Sequence, residues 1–141
     1  VIFSRRGSMK ILIIEDDQTT LQLVKEILSG CNEVEVAETA MEGIEKFTES
    51  MICFDYFSVV LIDIGLPDMD GVTTLQLLRR FEKVKAINHS NTSKIVVMTA
   101  TADEDKVKAS LKSGCNEFLI KPITKENLNK KLNPFGVKVY F

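Results

Sequence analysis

The sequence predicts one α/β domain with a five-stranded parallel sheet and helices on both of its faces. Strand and helix patterns alternate five times along the chain, as in a series of strand–helix units joined by right-handed crossovers. The strand patterns are short apolar runs rich in β-branched residues, which is typical of strands buried on both faces. The length of 141 residues suits a single domain with its own core.

The strands are predicted from apolar runs that are bounded by polar or turn-forming residues. They lie at residues 10–14, 33–36, 58–62, 94–98 and 117–120. Residues 33–36 alternate Glu and Val, which indicates a less buried edge strand, whereas residues 10–14 and 58–62 are mostly apolar. The third strand leads to Asp63, the fourth to Thr99 and the fifth to Lys121-Pro122.

The helices are predicted from apolar spacing and from residues that cap or end a helix. The first covers residues 19–29, with Asp17 placed to cap it and Gly30 to end it. The second opens at Thr39, whose spacing from Glu42 is that of a capping box. The third runs to about residue 85, the fourth covers residues 103–113 before Gly114, and the fifth opens at residue 124. The expected core-facing residues are Leu21, Val24, Leu28, Ile44, Phe47, Val72, Leu75, Leu78, Val107, Leu111, Leu128 and Leu132.

Composition and charge exclude several classes of function. Hydrophobic residues make up 45% of the chain and charged residues 27%, as in a globular protein. The net charge of −2 gives no bulk electrostatic basis for nucleic-acid binding, and no apolar run approaches the roughly 20 residues that span a bilayer. The three cysteines form no CxxC pair, and the one histidine, His89, lies in a polar loop. We therefore expect a cytoplasmic protein that has no disulfide framework or zinc site and contacts neither membrane nor nucleic acid.

The two ends of the chain differ in character from the rest. Residues 1–8 end in Gly7-Ser8 directly before Met9, and we interpret them as a remnant of an expression vector. Residues 9–133 are then the domain itself. The tail at residues 134–141 is strongly apolar. The sequence leaves open whether the tail packs on the domain, continues toward a neighbouring domain or comes from a vector.

Polar residues gather where the predicted strands end. Glu15 and Asp16 follow the first strand, Asp63 the third, Thr99 the fourth and Lys121 the fifth. Ligands of an open α/β sheet bind outside the carboxyl ends of its strands, so we expect these side chains in one crevice. Crowded carboxylates favour a hard cation with oxygen ligands, such as Mg²⁺. With a hydroxyl and an ammonium group beside them, the site suits phosphoryl transfer onto a carboxylate.

Four segments of the chain resemble the receiver domains of two-component response regulators and hybrid histidine kinases, over about residues 9–132. The segments are Ile-Leu-Ile-Ile-Glu15-Asp16-Asp17, Leu-Ile-Asp63-Ile-Gly-Leu-Pro67-Asp-Met-Asp-Gly71, Val-Val-Met-Thr99-Ala100 and Phe118-Leu-Ile-Lys121-Pro122. Each segment alone is only suggestive, but all four in order and at strand ends form a specific signal. The resemblance implies a flavodoxin-like (βα)5 fold with the parallel strand order 2-1-3-4-5.

The resemblance also implies a role for each residue of the site. Asp63 is then the phosphoacceptor, Thr99 and Lys121 bind the phosphoryl oxygens, and Phe118 is the aromatic switch residue whose rotamer follows the state of Thr99. The implied ligands of Mg²⁺, or of Mn²⁺ in its place, are Glu15, Asp16, Asp63 and the backbone carbonyl of Gly65. The Lys121-Pro122 peptide bond is expected to be cis.

In this interpretation Asp63 takes its phosphoryl group from the phosphohistidine of a histidine kinase or histidine phosphotransfer protein. The face formed by the fourth helix, fifth strand and fifth helix then changes shape, and a downstream effector or output domain binds it. The expected chemistry is Mg²⁺-dependent self-phosphorylation and slow autodephosphorylation by a monomer or transient homodimer. Kinase activity would need a further domain of the full-length chain. Whether that chain is a stand-alone regulator or a hybrid kinase stays open.

Three other functions fit parts of the pattern less well. A phosphatase of the haloacid dehalogenase type carries a second aspartate two residues after the nucleophile, where this chain has Gly65. A degenerate receiver that only docks partners usually lacks an acidic or lysine position, and none is missing here. A flavodoxin or Rossmann nucleotide-binding domain needs a glycine-rich first turn, where this chain has Glu15-Asp16-Asp17-Gln18.

The chain departs from the receiver pattern at two positions. Glu15 replaces a more usual aspartate in the acidic pair, and Gly65 lacks a side chain at a position that, together with Thr101, tunes the lifetime of the phosphate. Both departures leave the dephosphorylation rate open. Asp68 and Asp70 are interpreted as turn formers beside Pro67 and Gly71 rather than as metal ligands.

Overall fold

Five parallel strands lie between two layers of helices. The computed structural model describes residues 9–100 and 103–139. The strands are β1 (Lys10–Ile14), β2 (Glu33–Ala37), β3 (Val59–Asp63), β4 (Lys94–Thr99) and β5 (Glu117–Ile120). They pair in the order β2-β1-β3-β4-β5, and every pairing is parallel. The fold class and strand order predicted from the sequence are confirmed.

The helices begin at residues whose side chains cap them. The helices are α1 (Gln18–Ser29), α2 (Ala40–Ile52), α3 (Gly71–Val84), α4 (Glu104–Lys112) and α5 (Lys125–Leu132), with short 3₁₀ turns at His89–Asn91 and Asn133–Phe135. The caps predicted at Asp17 and Thr39 are present, and both side chains accept a backbone N–H of the first turn. The predicted capping box is only half formed, because Glu42 accepts from the backbone N–H of Glu38 rather than from that of Thr39.

Two apolar clusters fill the space between the sheet and the helices. Successive strand residues point to opposite faces of a sheet, so Ile11 and Ile13 pack with α1 and α5, whereas Leu12 and Ile14 pack with α2 and α3. All four side chains are fully buried. Burying a side chain of this size contributes roughly 1.5–3 kcal/mol, so this double-sided core fixes the positions at which the strands end.

The helix α4 packs differently from the sequence prediction. Leu111 was expected in the core, but it is 46% exposed, and Val107 is only half-buried. The fully buried residue of α4 is Ser110, whose hydroxyl donates to the carbonyl of Lys106. A small residue lets a helix approach its neighbours closely, and the next residue along, about a quarter turn away, is then directed outward.

The described part of the C-terminal tail packs on the domain. Val137 is fully buried against the α1–α5 side of the core, with Phe135 and Val139 half-buried beside it. The amide of Asn32 donates to the carbonyl of Lys138 at 2.8 Å, which ties the tail to the end of α1. This favours the first of the three possibilities for the tail. Residues 1–8, interpreted as a vector remnant, lie outside the described residues. Within residues 9–100 and 103–139, no helix is long and apolar enough to span a membrane.

Candidate active site

The carboxyl ends of four strands bring the predicted site residues together. Asp63 is the last residue of β3 and is 7% exposed, and Thr99 is the last residue of β4 and is buried. Glu15 directly follows β1, and its backbone N–H donates to the carbonyl of Ala37, which continues the pairing with β2. Lys121 follows β5, and its backbone N–H donates to the carbonyl of Thr99 at 2.7 Å. These backbone bonds direct the functional side chains into one crevice.

A single lysine contacts two carboxylates from different strands. The ammonium group of Lys121 donates to Oε1 of Glu15, and its nitrogen lies 3.6 Å from Oδ1 of Asp63. Burial acts to lower the pKa of Lys121, but the bond to Glu15 and the negative charge of Asp63 outweigh burial and raise the pKa above its ordinary value. Lys121 is therefore a permanent cation beside Asp63.

Glu15 occupies an electrostatically unfavourable position. Its side chain is fully buried. Burial first, and then the neighbouring carboxylate of Asp63, raise its pKa to about 7, although Lys121 acts in the opposite direction. Among the described residues, Oε2 of Glu15 has no hydrogen-bond partner. A buried carboxylate oxygen without a partner is rare, and a cation is one group that would satisfy it.

Three carboxylates form a cluster that fits a divalent cation. One oxygen each from Glu15, Asp16 and Asp63 lie within 4.8 Å of one another. Asp16 is exposed to solvent, whereas the other two are buried, so the cluster opens to the surface on one side. An all-oxygen donor set with access to water is the environment that Mg²⁺ prefers. The donor chemistry and the unpartnered oxygen of Glu15 agree with the predicted metal site.

The loop after β3 leaves space beside Asp63. The backbone N–H of Gly65 donates to Oδ1 of Asp63 at 3.3 Å. A Cβ atom at Gly65 would lie 3.8 and 3.9 Å from the two carboxylate oxygens, which is ordinary contact, so the glycine keeps this side of Asp63 uncovered. Gly71 is needed for a different reason: a Cβ there would come within 2.5 Å of the backbone of Ile64, where the loop returns to start α3.

Phe118 and Pro122 are placed as the sequence pattern suggests. Phe118 pairs with Val97 in the sheet, is half-buried, and has the ammonium of Lys131 at 5.1 Å from its ring centre. Its role as a switch residue stays a prediction. The Lys121-Pro122 peptide bond is cis, as expected.

The acidic residues excluded from the metal site serve as helix caps. Asp70 accepts from the backbone N–H of Val72 at the start of α3, and Asp17 caps α1. Sequence reasoning missed the role of Asp68, whose carboxylate accepts from the N–H groups of Ala40 and Met41 at 2.9 and 3.1 Å. Burial opposes ionisation there, but these two backbone bonds lower the pKa of Asp68 below its ordinary value. No local pattern could reveal a cap that comes from 28 residues away.

Comparison with known sequences agrees with this geometry. The family profile named response regulator receiver domain matches residues 11–133. The chain belongs to this family. It is therefore a receiver domain of two-component signalling. Within the matched region, residues 101 and 102 lie outside the described residues, so the prediction for Thr101 stays a prediction.

Relatives of this receiver domain occur in much longer proteins. It is 32% identical over 130 residues to the osmosensing histidine protein kinase SLN1 of Saccharomyces cerevisiae, covering 91% of this chain and 10% of that protein. It is also 32% identical over 114 residues to the hybrid signal transduction histidine kinase M of Dictyostelium discoideum, covering 80% of this chain and 4% of the kinase. The chain thus spans a tenth or less of the length of these two relatives.

Solved structures share the fold. The CheY-like receiver domain protein of Methanospirillum hungatei superimposes with a TM-score of 0.75 at 30% identity, covering 92% of this chain and 94% of that one. The receiver domain of the Saccharomyces cerevisiae response regulator Ssk1, crystallised with the phosphotransfer protein Ypd1, gives a TM-score of 0.81 at 24% identity, covering 92% and 89% of the two chains.

Proposed function

We propose that this receiver domain accepts a phosphoryl group on Asp63 from a phosphohistidine, in a reaction that requires Mg²⁺ or Mn²⁺. One observation carries the proposal. The Asp63 carboxylate lies 3.6 Å from the ammonium of Lys121 and belongs to a cluster with Glu15 and Asp16 at the carboxyl end of the sheet. A nucleophile, a fixed cation and a cation-binding cluster in one crevice are the parts that phosphoryl transfer needs.

The transfer exchanges one bond at phosphorus for another. A carboxylate oxygen of Asp63 attacks the phosphorus, and the bond between phosphorus and the donor imidazole nitrogen breaks as the new bond to oxygen forms. The imidazole leaves with its electron pair and takes a proton from solvent, and an acyl phosphate remains on Asp63. Held by Glu15, Asp16, Asp63 and the carbonyl of Gly65, the metal ion would neutralise charge on the phosphoryl oxygens.

Lys121 and Thr99 bind the phosphoryl oxygens of the product. The ammonium of Lys121 is already beside Asp63, so it needs only to exchange its bond with Glu15 for one with the phosphoryl group. Thr99 lies at the end of the adjacent strand β4, so its hydroxyl can donate a hydrogen bond to the phosphoryl group on Asp63. These contacts bias the domain between two states.

The response passes to the face formed by α4, β5 and α5. Phe118 on β5 then moves toward the space that Thr99 leaves, and an effector or output domain binds the altered face. Two large apolar side chains are exposed on this face: Leu111 on α4 at 46% and Ile120 on β5 at 42%. A partner that covers them would gain from burying apolar surface.

The phosphodonor is a histidine kinase or a histidine phosphotransfer protein. Two features support this choice: the similarity to the kinase SLN1 and the shared fold of the Ssk1 receiver, which was crystallised with Ypd1. We propose a cytoplasmic location, a monomer or transient homodimer, and slow autodephosphorylation instead of turnover of a free substrate. Any kinase activity would belong to other parts of a longer chain.

A small phosphodonor tests the proposal without the natural partner. The purified chain is incubated with acetyl phosphate and Mg²⁺, and intact mass is recorded. We expect the mass gain of one phosphoryl group, which is lost on adding a chelator and in the variant Asp63→Asn. The matched control is Asp70→Asn, which changes a helix cap in the same loop and keeps the labelling. Undiminished labelling of Asp63→Asn would overturn the assignment.

A further inference from the structure

The end of the domain opposite Asp63 exposes a second surface. In a parallel α/β fold the helices run antiparallel to the strands, so the C-terminal ends of α2 and α3 lie at the end of the domain away from the acidic cluster. The three most exposed large apolar side chains among the described residues are found there. They are Ile52, Phe54 and Val84, at 66%, 80% and 72%. Exposed apolar groups of this size that lie near one another mark interaction sites.

The backbone at this end is held in an uncommon conformation. Phe54 has a φ of 54°, and Ala86, two residues after the end of α3, has a φ of 51°. This left-handed region is unfavourable for a residue with a bulky side chain. Phe54 nevertheless adopts it and keeps its ring in solvent, in edge-on contact with the ring of Tyr56 at 6.5 Å between centres. Both conformations end a helix: the backbone N–H of Asp55 donates to the carbonyl of Ser50, and that of Ile87 to the carbonyl of Glu82. The end of α2 therefore holds the ring of Phe54 at the surface.

Two recesses meet at this end. A recess of about 480 Å³ has an apolar wall formed by Ile52, Phe54 and Tyr56, and its polar lining residues are Lys85, Asn88 and Asn91. A groove of about 870 Å³ runs alongside it between α3 and the segment that leads into β4. Ala86 and Ile87 line both, so the two recesses form one continuous surface. We call this surface the distal surface.

The groove of the distal surface is positively charged. Arg80, Lys83 and Lys94 line it, and within the described part of the chain none of them has a carboxylate partner. Among the described residues that line the groove, the one carboxylate is that of Glu82. It is buried, and its Oε1 forms an ion pair with Nη1 of Arg79 at 2.7 Å. The groove therefore carries local positive charge on a chain whose net charge is −2.

We propose that the distal surface binds an acidic peptide segment of a partner protein. Carboxylates of the peptide pair with Arg80, Lys83 and Lys94, and an apolar side chain of the same peptide enters the recess beside Phe54. A fully apolar partner would leave Arg80, Lys83 and Lys94 without carboxylate partners, although the ammonium of Lys94 also lies 6.0 Å from the ring centre of Phe135. A small anion would leave the recess uncovered. Only a segment with both kinds of group matches the charge and the apolar surface together.

Binding at the distal surface is independent of phosphorylation of Asp63. No residue of the acidic cluster lines the distal surface, so the variant Asp63→Asn should bind the same peptide as the unaltered chain. Failure of Asp63 to accept phosphate would therefore leave this inference standing, and the reverse also holds.

Labelled peptides test the proposal directly. The probes are fluorescein-labelled peptides in which Leu, Phe or Ile is flanked by glutamates, and the matched control peptides carry lysines in place of the glutamates. Fluorescence anisotropy measures affinity, and ¹⁵N–¹H NMR spectra locate the site. We expect saturable, salt-sensitive binding of the acidic peptides, with resonance changes confined to the residues that line the two recesses. Absence of binding by every acidic peptide, or equal binding by the lysine peptides, would overturn the proposal.

Variants separate the two parts of the distal surface. The double variant Arg80→Glu with Lys83→Glu should weaken binding at least tenfold, and Phe54→Asn, which suits the left-handed backbone, about fivefold. The controls are the double variant Lys25→Glu with Lys130→Glu, and Leu23→Asn, all exposed positions elsewhere. Thermal unfolding verifies that each variant folds. Unchanged affinity in both test variants would contradict the proposal. So would a single-stranded oligonucleotide that binds more tightly than any peptide, because it would indicate a nucleic-acid site.

Discussion

The ammonium nitrogen of Lys121 lies 3.6 Å from Oδ1 of Asp63. The same group donates to Glu15, whose side chain is fully buried and whose second oxygen has no hydrogen-bond partner among the described residues. One cation thus stands between two carboxylates in a region where charges are poorly screened. The charge state of this group of residues should therefore control both stability and metal binding.

The stability of the metal-free domain should depend on the protonation of Glu15. Its pKa is raised in the fold from the ordinary value of 4.5 to about 7, so the folded state binds the proton more tightly than the unfolded state. The tighter proton binding by folded Glu15 stabilises the domain fully below pH 4.5, and this stabilisation is lost as the pH rises through 7. It amounts to about 3 kcal/mol.

The variant Glu15→Gln removes this titration and serves as the reference. Urea unfolding in the presence of a chelator, at several pH values across this range, measures the difference in free energy of unfolding between the two proteins. We expect the unaltered protein to lose stability relative to the variant as the pH rises, because Glu15 ionises in its buried position and glutamine does not. A difference that stays constant across the range would contradict the environment described for Glu15.

Magnesium should bind through Asp16 and not through its neighbour Asp17. The variant Asp16→Asn removes a charged ligand from the carboxylate cluster, and we expect at least a tenfold loss of Mg²⁺ affinity, measured by calorimetric titration. Asp17→Asn removes the adjacent charge but keeps an oxygen that can cap α1, so this variant should lose much less Mg²⁺ affinity than Asp16→Asn. Equal losses in the two variants would mean that general negative charge, and not a specific ligand, attracts the ion.

Removing the ammonium of Lys121 should destabilise the metal-free domain. At about pH 8, Lys121→Met leaves two buried carboxylates without their cation, and we expect the free energy of unfolding to fall by about 3 kcal/mol. The effect should be smaller near pH 5, where Glu15 is protonated. Lys131→Met is the matched control, because its pair with Glu117 is partly exposed on both sides and should contribute less than about 1 kcal/mol. Equal effects of the two substitutions in urea unfolding would refute this reasoning.

Asp68 should stabilise α2 without contributing to metal binding. Its carboxylate accepts from two backbone N–H groups at the start of α2, so Asp68→Ala should reduce stability by about 1 kcal/mol. Asp68→Asn keeps one acceptor and should retain part of that stability. Thermal unfolding measures both, and Mg²⁺ titration should give an unchanged affinity. A large loss of Mg²⁺ affinity in Asp68→Ala would place this residue in the metal site after all.

The sequence predicted the features that depend on local pattern. All five strands could be predicted, because four of them contain a short apolar run and β2 alternates glutamate with valine. The residues at the strand ends identify the candidate site because parallel strands place their carboxyl ends at one edge. Glu15, Asp63 and Lys121 could be grouped on that argument alone. The caps Asp17 and Thr39 act within a few residues of their helices, so they too were visible in the sequence.

Features that depend on contacts between distant segments could not be predicted. Asp68 caps a helix that starts 28 residues earlier, and Leu111 faces outward because Ser110 makes the close approach of α4. The guanidinium of Arg79 joins α3 to the carbonyls of Ser93 and Gly114. No local pattern in the sequence identifies these three contacts, because each depends on how side chains of separate segments pack.

Locating the phosphoryl group tests the central claim most directly. The chain is phosphorylated with acetyl phosphate and Mg²⁺, and the acyl phosphate is reduced with borohydride, which converts a phosphorylated aspartate to homoserine. Peptide mass spectrometry then identifies the converted residue. We predict homoserine at position 63 alone, dependent on both phosphodonor and Mg²⁺. Homoserine at Asp16, Asp68 or another aspartate, with Asp63 unchanged, would contradict the account.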